Sequence, residues 1–184
     1  MCIRDRGEPL TGRLNPPSGA LFTHLLIGNP EDWYVLASHY GYGFRVQLKD
    51  LASKNKAGKL LITLPDGAKA LKPVPVQDES ELLAVVTLQG RLLIFPVADL
   101  PELARGKGNK LIQIPPLDLQ SEKDYVVSVL SIPENATLKV LSGKRFLLLK
   151  TADIAHYTST RAKRGIALPR GFQRVEGLES GNGA

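Results

Sequence analysis

The chain has 184 residues, 43% of them hydrophobic, and sets 24 Lys and Arg against 18 Asp and Glu, for a formal charge of +6 at pH 7 and a pI near 9.5. That length buries one good core or a short array of stacked units, and the basic balance draws nucleic acid or an acidic membrane surface. A single cysteine, Cys2, excludes an internal disulfide and a cysteine-based zinc site and suits a reducing cytoplasm, and no apolar run approaches the roughly eighteen residues of a membrane helix.

In chain order, residues 1–6 lack the apolar core of a signal peptide and are set aside as a leader, native or not. Residues 7–20 read as the end of a truncated unit, because Leu14-Asn15-Pro16 stands where Leu64-Pro65 and Ile114-Pro115 stand later. The unit 21–66 carries short apolar or alternating runs at 22–27, 33–38, 44–48 and 60–64, rich in aromatic and branched residues and divided by turn signals. The unit 67–116 repeats this with strands at 70–76, 82–88, 92–97 and 111–114, and Gln89-Gly90 marks a tight hairpin. The unit 117–178 gives 126–132, 137–141, 146–149 and 166–168, turns through Ser142-Gly143-Lys144, and ends in one further strand at 172–178. Helix is confined to single turns near 99–103 and 151–156, each with an aspartate near its start. The tail 179–184 is rich in Gly, Ser and Asn and is expected to be disordered.

The units share one order of features. A turn glycine (Gly43, Gly90, Gly143) leads into an apolar strand, an aspartate follows (Asp50, Asp99, Asp153), and then a loop carrying only positive charge leads into a strand that ends in Pro65, Pro115 or Pro169. A period of about fifty residues in all-β sequence predicts a propeller-like array with equivalent loops on one rim. The candidate phosphate contacts are therefore Lys54, Lys56 and Lys59, then Arg105, Lys107 and Lys110, then Arg161, Lys163, Arg164 and Arg170. Asp78, Glu79 and Glu81, and likewise Glu122 and Asp124, read as solvated turns between units.

Chemical motifs are missing. The Gly-Lys pairs at 58–59 and 143–144 lack the earlier glycine and the following Ser or Thr of a P-loop. His24, His39 and His156 have no paired ligand spacing, and there is no Gly-x-Ser-x-Gly elbow. No catalytic residue, metal ligand or cofactor site is assigned. Besides duplex DNA binding, the composition allows a protein-interaction propeller using Trp33, Tyr40 and Tyr42, and, ranked lower, an RNA-binding β protein, since the basic loops hold no aromatics. A free-standing enzyme ranks last.

The stretches Gly7-Glu-Pro-Leu-Thr-Gly12, Gly41-Tyr-Gly-Phe44, Asn55-Lys-Ala-Gly-Lys-Leu-Leu-Ile-Thr-Leu-Pro65, Phe95-Pro-Val-Ala-Asp-Leu-Pro101, Gly106-Lys-Gly-Asn-Lys110 and Arg170-Gly-Phe-Gln-Arg174, in this order, resemble the C-terminal domain family of the A subunit of bacterial DNA topoisomerase IV. The resemblance implies a partial β-pinwheel, a propeller variant whose blades exchange strands, with a bent DNA duplex on its basic outer edge. It implies a non-catalytic part of an ATP-dependent type IIA topoisomerase that guides substrate choice in decatenation and relaxation. The implied partners are double-stranded DNA, two B subunits and a second A subunit. The implied location is the bacterial cytoplasm at the nucleoid, with the parent enzyme peripheral at the inner membrane. In that family the cleaving tyrosine and its arginine lie upstream, and ATP and magnesium are held elsewhere, so no position here inherits a catalytic or cofactor role. The loop 104–110 is only a loose relative of the glycine- and arginine-rich box of the gyrase A domain, which argues against strong gyrase-type wrapping.

Overall fold

Three β-hairpins organise the chain, and the first two are each completed by strands from the unit that follows. The computed structural model describes residues 10–133 and 135–181. The hairpins are β1 Trp33–Ala37 with β2 Tyr42–Gln47, β4 Leu82–Thr87 with β5 Arg91–Pro96, and β8 Thr137–Ser142 with β9 Arg145–Leu149. The remaining strands are β3 Val74–Val76, β6 Asn109–Lys110, β7 Val126–Ile132, β10 Ile166–Ala167 and β11 Gly177–Gly181. The sheets run β3-β1-β2-β6, β10-β5-β4-β7 and β11-β8-β9, with every pairing antiparallel. The first hairpin thus receives β3 and β6 from the second unit, and the second receives β7 and β10 from the third. This is an all-β pinwheel array, and its sheets cross the unit boundaries drawn at 66–67 and 116–117.

The near-continuous apolar run of β4 follows from burial on both faces. Leu83 and Val85 enter a core with Val35, Val74, Leu111 and Val126, while Ala84 and Val86 enter a second core with Leu138, Val140, Ile154 and Leu178. β5 divides in the same way, with Leu93 and Phe95 on one side and Leu92 and Ile94 on the other. The middle sheet is therefore a wall shared by two cores.

Where the apolar strand of each hairpin ends, the chain makes a helical turn before its basic loop: α2 Leu48–Leu51, a 3-10 turn at Val97–Asp99, and α4 Thr151–Tyr157. The described residues also include the short helices α1 Leu10–Arg13 and α3 Pro116–Gln120. The recurring aspartate has a clear task in α4, where the Asp153 carboxylate accepts the Lys150 N–H at 2.9 Å.

Several expectations need correction. Residues 22–27 form no strand and stand largely in solvent, with Leu25 and Ile27 each 82% exposed. Strands in the corresponding place, β3 and β7, pair with the hairpin of the preceding unit, and no such hairpin exists for 22–27 among the described residues. Residues 60–64 make only an isolated bridge, Ile62 with Gly106, for the same reason. The closing strand expected at 111–114 is β6, two residues earlier. The expected tail is ordered as far as Gly181, because Glu179, Ser180 and Gly181 pair with Lys139, Leu138 and Thr137. The leader 1–6, residues 7–9 and residues 182–184 lie outside the described residues.

Two of the supposed solvated acids are buried pins. Asp124 accepts hydrogen bonds from the Thr87 hydroxyl at 3.1 Å and the Gln89 N–H at 3.0 Å, and Glu81 accepts from the Ser131 hydroxyl at 2.5 Å. Each carboxylate buries its charge only because those donors replace water.

Candidate nucleic-acid interface

The basic loops are laid side by side by one repeated backbone contact. The N–H of Asn15 donates to the Lys56 carbonyl, that of Thr63 to Gly106, and that of Gln113 to Lys163, at 3.0, 2.9 and 2.9 Å. A return bond accompanies the last two, from Gly106 N–H to the Leu61 carbonyl and from Ala162 N–H to the Leu111 carbonyl. Each loop therefore rests on the closing segment of the unit before it, and three cationic loops become neighbours along one edge. The bond from Asn15 extends the series by one step.

The loops also press closely on the hairpins. Gly108 has φ +77°, and a Cβ there would overlap the Gly43 carbonyl oxygen. Only glycine allows this approach. Gly58 holds the corresponding place in the first loop with φ +82°, yet nothing lies within 4 Å of its missing Cβ.

Lys54, Lys56, Lys59, Arg105, Lys107, Lys163, Arg164 and Arg170 are exposed or nearly so, and Lys110 is half-buried. The Lys59 ammonium donates to the Asp50 carbonyl, which holds it against α2. Lys107 Nζ lies 4.0 Å and Lys110 Nζ 5.8 Å from the centre of the Tyr42 ring. That aromatic floor comes from β2, in the preceding unit, so inspection of the loops alone misses it; Gly41-Tyr42-Gly43 was the available signal. Its π face attracts both ammonium groups and holds them in place without neutralising them.

Arg161 differs from the other candidates. It is half-buried, its Nη1 donates to the Lys110 carbonyl at 2.6 Å, and its Nε is buried without a hydrogen-bond partner. Its first task is to tie the third loop to the second. Arg45 is a comparable staple, donating to the Leu100 carbonyl, pairing with Glu79 at 2.7 Å and lying over Trp33.

Among the described residues, none of the ten candidates is in an ion pair, and Glu31 pairs with Lys49 instead. Hydrogen bonding to Glu31 raises the pKa of Lys49. No group of three or more His, Cys, Asp or Glu residues is placed to hold a metal among the described residues, and no described helix is long and apolar enough to cross a membrane.

Comparison with known proteins agrees with this arrangement. Residues 32–77 and 81–133 match the DNA gyrase C-terminal domain, beta-propeller family. The chain is 50% identical over 176 residues to the A subunit of DNA topoisomerase 4 from Pseudomonas aeruginosa, covering 95% of this chain and 23% of that protein. It is 42% identical to the Escherichia coli K12 counterpart over 96% of its length, again spanning 23% of the relative. The solved E. coli ParC C-terminal domain superposes with a TM-score of 0.89 at 40% identity, over 98% of this chain and 73% of that one. A crystal structure of a DNA topoisomerase IV C-terminal domain at 20% identity, with a TM-score of 0.68 over 85% of this chain and 49% of that one, shares the fold. Matched over more than half its length and superposing on a solved relative over 98% of it, the chain belongs to the DNA gyrase C-terminal domain family, on the side of the topoisomerase IV A subunits.

Proposed function

We propose that this chain binds and bends duplex DNA along its basic edge. The observation that carries the reading is the repeated bond that sets loops 53–59, 104–110 and 160–164 next to one another, each cationic and free of acidic residues. Lys54, Lys56, Lys59, Arg105, Lys107, Lys110, Lys163, Arg164 and Arg170 meet phosphates, and Arg161 positions the loops. Phosphate contact is blind to sequence and releases counterions, so binding weakens steeply with salt. Curving 20 to 30 base pairs costs about 1–6 kcal/mol, so several loops must hold the duplex together, and DNA that is already curved is preferred.

In a whole topoisomerase, alongside two B subunits and a second A subunit, the domain would select substrate by topology while cleavage and ATP use proceed elsewhere. That role places it at the nucleoid of a bacterial cytoplasm and in chromosome segregation.

The test is binding to a linear duplex and to relaxed and supercoiled circles between 50 and 200 mM salt. The triple replacement Arg105→Ala, Lys107→Ala, Lys110→Ala should lower affinity and make the log–log salt slope shallower by about 2–3, at about 0.9 per contact. An unchanged slope removes that loop from the path, and equal affinity for all circles removes the selecting role.

A further inference from the structure

The turn of the third hairpin gathers charge that the rim loops do not explain. The first two hairpins turn through Ser38-His39-Tyr40-Gly41 and Leu88-Gln89-Gly90, whereas the third turns through Ser142-Gly143-Lys144. Arg91 opens β5 and Arg145 opens β9, but Arg91 is paired with Ala167 of β10, while among the described residues β9 has no strand on its outer side and Arg145 is exposed.

The segment packed on this third turn is basic as well. The Ser142 hydroxyl donates to the Arg174 carbonyl at 2.7 Å, and the Arg145 guanidinium lies against the backbone of Gly171. Lys144 and Arg145 on one side thus stand beside Arg170 and Arg174 on the other. All four are exposed, and among the described residues none is in an ion pair. The counterpart segment at the second turn is acidic instead, with Asp118, Glu122 and Asp124 against Lys123. On the basic segment the one carboxylate is the exposed Glu176, whose N–H bonds the Leu141 carbonyl.

Four like charges against a single carboxylate on their segment raise the local potential and favour a polyanion across them. The cluster is also continuous with the rim. Arg170 follows Arg164 by six residues, which span at most about 20 Å, or roughly six base pairs at 3.4 Å each.

We propose that Lys144, Arg145, Arg170 and Arg174 form a clamp that grips the duplex from two sides beyond the loop 160–164. This inference rests on the DNA reading given above. Arginines meeting a phosphate from opposite sides supply paired N–H donors as well as charge.

The experiment replaces Lys144, Arg145 and Arg174 by alanine and leaves Arg170 in place. Duplex binding by the full chain is then measured from 50 to 200 mM salt, with duplexes of graded length. The salt slope should become shallower by about 2–3, the shortest duplex giving full affinity should shrink, and the melting temperature should stay unchanged because the side chains are exposed. An unchanged slope and length requirement, beside a shallower slope in the Arg105, Lys107, Lys110 variant, overturns the clamp and leaves the rim reading intact. Weaker binding to polyglutamate with unaltered duplex binding also overturns it, assigning the cluster to an acidic protein. If the unaltered chain fails to bind duplex at 50 mM salt, the clamp and the rim reading fall together.

Discussion

His39 shows how one side chain links a turn to the segment crossing it. Its Nδ1 accepts the Lys69 N–H at 2.7 Å, and its ring meets Tyr40 and Tyr125. Burial is the main cause that lowers its pKa below 6.5; the Lys69 ammonium adds to this, while the Lys69 carbonyl and Glu122 oppose it. The neutral ring is thus favoured by folding. Its contribution to stability is complete above the unfolded value near 6.5 and is lost as pH falls through the lower folded value. Urea midpoints measured at pH 7.5 and 5.5 should fall with pH, and His39→Gln should flatten that fall; an equally steep fall in the variant assigns the dependence to other groups.

The same scale shows what sequence reading could and could not supply. Lysines and arginines that cluster locally were legible as loops. The Tyr42 floor beneath Lys107 and Lys110 was not, because it arrives from another unit, and neither was the attachment of Arg161 to the Lys110 carbonyl. Asp124 looked solvated because its donors, Thr87 and Gln89, lie more than thirty residues away in sequence.

At the scale of elements, the hairpins were legible from alternation and from the turn glycines Gly90 and Gly143, although Gly43 lies within β2 and the first turn uses Gly41 instead; their partners were not legible. Strand propensity reports what a segment becomes once paired, not which edge it finds. That is why 22–27, with the same kind of composition as its later counterparts, stays unpaired. The glycines at the loop–hairpin contact turn this into a measurement. Gly108→Ala combines a positive φ with a collision against the Gly43 carbonyl, while Gly58→Ala carries only the positive φ. The second should cost about 1–2 kcal/mol, the ordinary penalty of that backbone region, and the first distinctly more, read as denaturant midpoints. Equal losses would mean that the loop yields without strain at Gly108.

For the whole molecule, the shared middle sheet makes independent units an incomplete description. Leu83 faces one core and its neighbour Ala84 the other, so damage on one side of β4 reaches the second core through the same strand. Leu83→Ala should cost about 2–5 kcal/mol. Far-ultraviolet circular dichroism and tyrosine fluorescence should still report one coincident transition; separate transitions would show that the two cores melt apart. The charged edge, in contrast, tolerates change, because exposed side chains there contribute little to folding.

Strand exchange also sets an order of events on the ribosome. The first hairpin ends at Gln47, but its outer neighbour, β6, is not made until Lys110. At about 5–20 residues per second, translation leaves the open edge of β2 waiting roughly 3 to 13 seconds. Each later repeat closes its predecessor and opens a new edge of its own, so the nascent chain always carries one unfinished sheet, and a stalled message leaves that edge available to chaperones or to another growing copy.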